Sequence, residues 1–191
     1  MALVLTSGPA LEPVTVSEAK AHLRVDGTAE DTLIASLILT SRLHIETALG
    51  LALITQSWRL LLDAWPDGKH VELPLRPLQA VDEVRVVSAA GDPTIVSASN
   101  YLVDVAGVPP RLVRNGAAWP QPGRQASGIG IDFAAGYGDA AADVPAPVRQ
   151  ALLLLVAHWH EHRDPIEIGA ADMVVPAAVS DLLAPYRMAR L

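Results

Sequence analysis

In the first quarter of the chain, apolar positions recur at spacings of three and four. Leu33, Ile34, Leu37, Ile38, Ser41, Ile45, Ala48 and Leu49 fall on one stripe, the pattern of a helix that buries one face. Thr28 and Asp31 mark its start and Gly50 its end, so a helix is expected over 29–49. Upstream, Thr15-Val-Ser-Glu18 has the spacing of a capping box. There the threonine hydroxyl accepts from the glutamate amide and the carboxylate reaches back to the threonine N–H. It opens a shorter helix over 15–23, and Asp26-Gly27 breaks the chain after it.

After Gly50 the period shortens. Trp58–Leu62, His70–Leu73, Val81–Val87, Tyr101–Val105, Arg111–Val113 and Gly128–Phe133 are short runs rich in β-forming residues. Pro66-Asp-Gly68, Pro74, Pro77, Gly91-Asp-Pro93, Pro109-Pro110 and Pro120–Gly123 punctuate them. Helical spacing returns at Val144-Pro145, where proline suits a first helical position. Val148, Ala151, Leu152, Leu155, Val156 and Trp159 line that helix over 145–163, and Asp164-Pro165 ends it. A last helix is expected over 176–184, with Val179, Leu182 and Leu183 inward and Pro185 as its stop.

This order predicts an α+β protein. The N- and C-terminal helices, within 1–50 and 144–191, form an α-helical core. Residues 51–143 are inserted as a small antiparallel β sandwich or barrel. There is no internal repeat and no low-complexity tract.

Composition narrows the classes. Hydrophobic residues are 51% and charged residues 18% of 191, enough to bury a core and unlike a disordered chain. The net charge is −7, which disfavours non-specific nucleic-acid binding, since that rests on a lysine and arginine surplus. All basic residues but Lys20 and Lys69 are arginine. With no cysteine, disulfides, thiolate metal sites and a cysteine nucleophile are excluded. The longest clean apolar run, Ala151–Ala157, is far short of the roughly 20 residues of a membrane span. Met1-Ala-Leu-Val-Leu-Thr6 lacks the basic and apolar regions of a leader, so no signal peptide is expected.

The sharpest chemical motif is His158-Trp-His160-Glu161-His162. It matches H-x-x-E-H, which sets two histidines on one helix face as zinc ligands and a glutamate as base. A hydrolase would also need a third ligand and a water; Glu167, Asp172 and Asp181 are the downstream candidates. The competing reading is a solvated helix end, where histidine favours the negative end of the dipole. That reading is preferred, with no metal, no cofactor and no catalytic residue expected. Gly128-Ile-Gly130 and Gly136-Tyr-Gly138 lack a following lysine at a helix start and are read as turns. Trp65-Pro66 and Trp119-Pro120 are read as loop anchors.

The order of these segments resembles the head–tail connector, or adaptor, family of tailed phages and of phage-derived particles such as gene transfer agents. The resemblance rests on Pro13-Val-Thr-Val-Ser-Glu-Ala-Lys-Ala-His-Leu-Arg-Val25, Glu30-Asp31, Ile45-Glu46, Gln56-Ser-Trp58 and Leu73-Pro-Leu-Arg-Pro77. It continues through Tyr101-Leu-Val-Asp104, Phe133-Ala-Ala-Gly-Tyr-Gly138, Val144-Pro145, the helix carrying Trp159, Glu161 and Arg163, and Val175-Pro176 to Tyr186-Arg187. The resemblance implies a structural virion protein, not an enzyme, at the head–tail junction, made in the host cytoplasm. It implies a dodecameric ring below the portal protein that extends the DNA channel without sequence-specific binding. It also implies a surface for the next tail component, a stopper or tail terminator. No membrane is implied. The alternatives are a zinc-dependent hydrolase using His158, Glu161 and His162, a soluble β-domain binding module, or another virion part such as a tail-completion protein.

The C-terminal segment is the expected portal-binding element. Tyr186, Arg187, Met188, Arg190 and Leu191 contain no acid in an otherwise acidic chain, and tyrosine, arginine and methionine are enriched at interfaces. The expectation is a peg that orders on docking, with Tyr186, Met188 and Leu191 as apolar anchors and Arg187 and Arg190 paired with portal carboxylates.

Overall fold

The structure, a computed structural model, describes residues 1–116, 118–162 and 175–188. The described residues form an α+β protein with four α-helices and two antiparallel sheets. It divides into two compact units: residues 1–10 with 50–137, and residues 11–49 with 138–191.

The first unit holds all the strands: β1 (Ala2–Ser7), β2 (Gln56–Leu62), β3 (His70–Glu72), β4 (Leu78–Val87), β5 (Pro93–Ile95), β6 (Tyr101–Asp104), β7 (Arg111–Arg114) and β8 (Ile129–Ala135). One sheet has the order β1-β2-β8-β4-β5 and the other β3-β7-β6. Residues 1–10, grouped with the helices in the sequence reading, supply edge strand β1. Its uncharged run shows no helical period, and its strand character appears only through pairing with β2, Leu3 opposite Leu60.

Alternation decides which face is buried. On β8, Ile129, Ile131, Phe133 and Ala135 are buried, and Ile131 faces Leu60 of β2 and Val84 of β4. These join Val71, Leu112 and Tyr101 of the second sheet in a single apolar cluster. Asp132 points the other way and accepts two bonds from Arg59, at 2.6 and 3.0 Å, and one from Arg85. Opposite charges in one cross-strand row fix register, since a slip by one residue would turn the apolar set outward. The two tryptophan loops meet. Trp65 stacks on Trp119 at 4.3 Å, and its indole N–H donates to the Pro120 carbonyl at 2.7 Å. Gly136 closes β8 at φ +146°, where an added Cβ would lie 2.6 Å from the Thr55 nitrogen, so the turn requires glycine.

The second unit contains α1 (Val16–Leu23), α2 (Asp31–Leu49), α3 (Ala146–Glu161) and α4 (Ala177–Leu183). The capping box at Thr15 and Glu18 is formed. Glu18 also accepts from Arg149 of α3 at 2.5 Å, and Arg149 donates to the Pro13 carbonyl at 3.0 Å. These bonds tie stretches more than 130 residues apart in sequence. Val148, Ala151, Leu152, Leu155 and Val156 form the buried face of α3.

The buried face of α2 is turned from the expected stripe. Ile34, Ile38, Ser41, Ile45 and Leu49 are inside, but so are Arg42 and Glu46, while Leu33 and Ala48 are exposed. The physical reason is mutual neutralisation. Arg42 donates to Glu46 at 2.7 Å and to both oxygens of Glu12 at 2.7 and 3.2 Å. Burial pulls the Arg42 pKa down, but the two carboxylates outweigh it and hold it above its usual value.

Breaking a buried pair leaves an uncompensated charge and costs about 3–5 kcal/mol. Arg42→Ala is therefore expected to lower stability by that amount in urea unfolding. Arg42→Met with Glu46→Leu, which removes both buried charges, is expected to regain most of the loss.

Thr15 donating to the Glu18 carboxylate, reinforced by Arg149, holds its pKa below the usual carboxylate range. A depressed folded-state pKa gives stability that is present above the unfolded pKa and lost as pH falls through the folded one. Glu18→Gln keeps the capping geometry and removes the charge. The stability gap between the two proteins is expected at neutral pH and should close on acidification through that range, as followed by urea titrations at stepped pH.

Candidate functional site

The two segments singled out for chemistry are the histidine-rich end of α3 and the C-terminal segment. In the first, the rings of His158 and His162 do lie on one side, 4.6 Å apart. His162 is the residue that ends the helix. Its backbone N–H bonds the His158 carbonyl at 3.0 Å, and its Nδ1 lies 2.8 Å from the same oxygen. That oxygen thus takes the last i→i−4 bond of the helix and has the His162 ring beside it. Glu161 is exposed. Among the described residues, no group of three or more histidines, cysteines or acids is placed to hold a metal ion. Of the proposed third ligands, Glu167 and Asp172 lie outside the described residues.

The histidine between the motif positions makes the long-range contact. His160 Nε2 is 2.9 Å from a carboxylate oxygen of Glu30, which precedes α2. Trp159 packs edge-on against His44 of α2 at 5.7 Å and 89°. The sequence reading missed both contacts: Glu30 entered only as part of Glu30-Asp31, and His44 belongs to no motif. Their only sequence signal was position, one at each end of the long helix.

At the C-terminus, α4 buries Val179 and Leu183. The chain then tightens into a 3-10 turn over Ala184–Tyr186, in which the Arg187 N–H reaches the Ala184 carbonyl at 3.2 Å. Pro185 ends α4 as expected but sits inside this turn, where its missing N–H is no loss. Tyr186 is half-buried, whereas Arg187 and Met188 are exposed. The structure thus brings Tyr186, Arg187 and Met188 together at the end of one anchored turn. Arg190 and Leu191 lie outside the described residues. No described helix is long and apolar enough to cross a membrane.

Comparison with known proteins gives this architecture a class. Residues 13–89 match the family described as "Phage gp6-like head-tail connector protein". Three solved structures match all of the chain and 97% of their own chains. They are the neck of an empty gene transfer agent (GTA) particle computed with C6 symmetry (32% identity, TM-score 0.85), the virion of a native GTA particle (32%, 0.82) and the neck of a native GTA particle computed with C12 symmetry (31%, 0.81). No curated protein sequence matches significantly. The fold is thus that of a neck component of a phage-like particle. The chain belongs to the phage gp6-like head–tail connector family, whose role is structural.

His158→Ala is expected to leave folding and particle assembly unchanged, and metal analysis of the purified chain to give no stoichiometric zinc. His160→Ala, by contrast, should destabilise the chain by about 1 kcal/mol through the lost bond to Glu30. One tightly held zinc per chain would reverse this ranking of the three histidines.

Proposed function

We propose that this chain is a head–tail adaptor: a dodecameric ring beneath the portal that extends the DNA channel and offers its other side to the next tail component. The observation that carries the reading is full-length similarity to neck components, at 32% and 31% identity, in reconstructions with C6 and C12 symmetry. Closed rings of identical chains need side-to-side heterologous contacts, and a twelvefold neck provides the template.

The physical character of the chain suits a passive conduit. At net charge −7 it lacks the lysine and arginine surplus that grips phosphates, so passing DNA would not be held by counterion release. In this reading the helical unit is the adaptor core, and the β unit is a small sandwich carried as an insertion. No catalytic step is assigned to any residue.

The C-terminal segment is the proposed portal contact, with Tyr186, Arg187, Met188, Arg190 and Leu191 as its side chains. Met188 is 42% exposed and Arg187 is exposed beside it. In this reading the segment orders on docking, at an entropic cost that the interface offsets.

Because Tyr186 is half-buried in the turn that ends α4, the informative truncation starts after it. Deleting residues 187–191 is expected to leave the thermal midpoint within about 2 °C, a change of under 1 kcal/mol for a chain of this size. It is also expected to yield DNA-filled heads without tails, counted by negative-stain microscopy. Tail-bearing particles at wild-type frequency would remove the segment from the portal contact.

A further inference from the structure

We infer that the outward face of α2 is buried in the assembled particle against a second copy of this chain, as one half of the side-to-side contact. This rests on the ring proposed above and deepens it by naming a surface. Three observations on α2 lead to it.

First, beyond Asp31 at its start, the solvent side of this helix carries no aspartate, glutamate, lysine or arginine. Leu33, Ser36, Leu39, Thr40, Leu43 and Thr47 are exposed at helical spacing, with the three leucines at 37%, 42% and 49%. A surface helix normally places its charges outward. Here the charges of α2 are used elsewhere: Arg42 and Glu46 are buried with Glu12, and Asp31 accepts from Lys20 at 2.7 Å. The helix therefore keeps Arg42 and Glu46 inside with its apolar residues and presents uncharged residues outside. In α1, by contrast, Glu18 is exposed.

Second, this face adjoins a shallow depression of about 520 Å³ where α2 meets α3. Leu43, Thr47, Ala48 and the half-buried Trp159 line it, and His44 stands edge-on to the indole at its side. Interface centres are depleted in charge and enriched in aromatic anchors. A helix face with a tryptophan-walled hollow beside it has both traits.

Third, the choice of occupant follows from chemistry and symmetry. An uncharged leucine and threonine surface offers DNA phosphates no lysine or arginine to pair with. It suits close packing against another protein surface. The relatives that match over the full chain are neck components solved with C6 and C12 symmetry, so in the proposed ring the lateral neighbours of each copy are other copies. A closed ring is heterologous, so the α2 face meets a different surface of the next chain, not another α2.

The absence of cysteine makes the test clean. Ser36→Cys and Thr40→Cys are each introduced singly and probed with a maleimide in the free chain and in purified particles. The expected result is fast labelling of the free chain and at least tenfold slower labelling in particles. A short bifunctional maleimide–amine cross-linker should give a dimer of this chain. Leu43→Glu should keep the free chain's circular dichroism and thermal midpoint and reduce its recovery in particles by tenfold or more. Equal labelling in free chain and particles, a cross-link to another virion protein, or normal recovery of Leu43→Glu would overturn the inference. If instead the wild-type chain is not recovered in particles at all, the adaptor reading itself fails, and the two failures stay distinct.

Discussion

The helical unit depends on one buried arginine. Arg42 lies on the inward side of α2 between the carboxylates of Glu46, one turn on, and Glu12, in the segment that leads to α1. A lone guanidinium there would be strongly destabilising, and a lone glutamate equally so. Together they are tolerable only in one geometry, which fixes the rotation of α2 about its axis and the path of the chain into α1. Specificity of this kind is a better account of a buried ion pair than net stability, because apolar residues of similar size often do as well energetically. The rotation has a second effect. By taking charges inward it leaves leucine, serine and threonine outward, so the core's polar lock and the bare outer face of α2 are two sides of one choice.

The two stretches of the helical unit meet through Arg149 as well as through apolar packing. Its guanidinium reaches the Pro13 carbonyl and Glu18, the residue that caps α1. The same carboxylate therefore terminates a helix locally and binds a distant one. In the β unit Asp132 plays the comparable part, gathering Arg59 and Arg85 from the strands on either side of β8. In both units a single acid satisfies donors from separate elements. Their apolar residues supply the driving force, and these acids select among the registers that hydrophobic burial alone would leave close in energy.

How much of this was legible depended on whether the signal was local. The capping box at Thr15 and the six strand runs between Trp58 and Phe133 are local patterns, and all appear in the fold. Strands β1 and β5 were not legible. The first is an uncharged run with no alternation, and the second is three residues beginning at a proline; each becomes a strand only because β2 or β4 offers it an edge. The rotation of α2 was hidden for the same reason. A periodicity rule counts Arg42 and Glu46 as polar and Leu33 as apolar, and cannot know that Glu12 neutralises the arginine. The histidine motif was legible as a helix end, the reading preferred over zinc, and the helix does end at His162; the contact of the residue between the motif positions was not legible. For the C-terminal segment, composition pointed to Tyr186, Arg187, Met188, Arg190 and Leu191; of the described ones, Tyr186 is half-buried in the turn after α4 and Arg187 and Met188 are exposed.

A connector of this kind meets a conflict between solubility and assembly. Free chains must not close into rings before a platform exists, yet once placed they must pack closely. Net charge and surface pattern address these needs separately. At net charge −7, free copies repel one another at long range, within roughly 8 Å of screening at physiological salt. The α2 face, lacking charge, adds no short-range repulsion at the point of contact and gains by exclusion of water once two copies are held side by side. In the ring proposed above, repulsion that acts at a distance and attraction that acts only on contact would give weak association in solution. On a template the entropy of bringing copies together is already spent, so the same contact is enough to hold a ring. The division of labour within α2, charges turned inward and leucines outward, is what lets an acidic chain carry such a face.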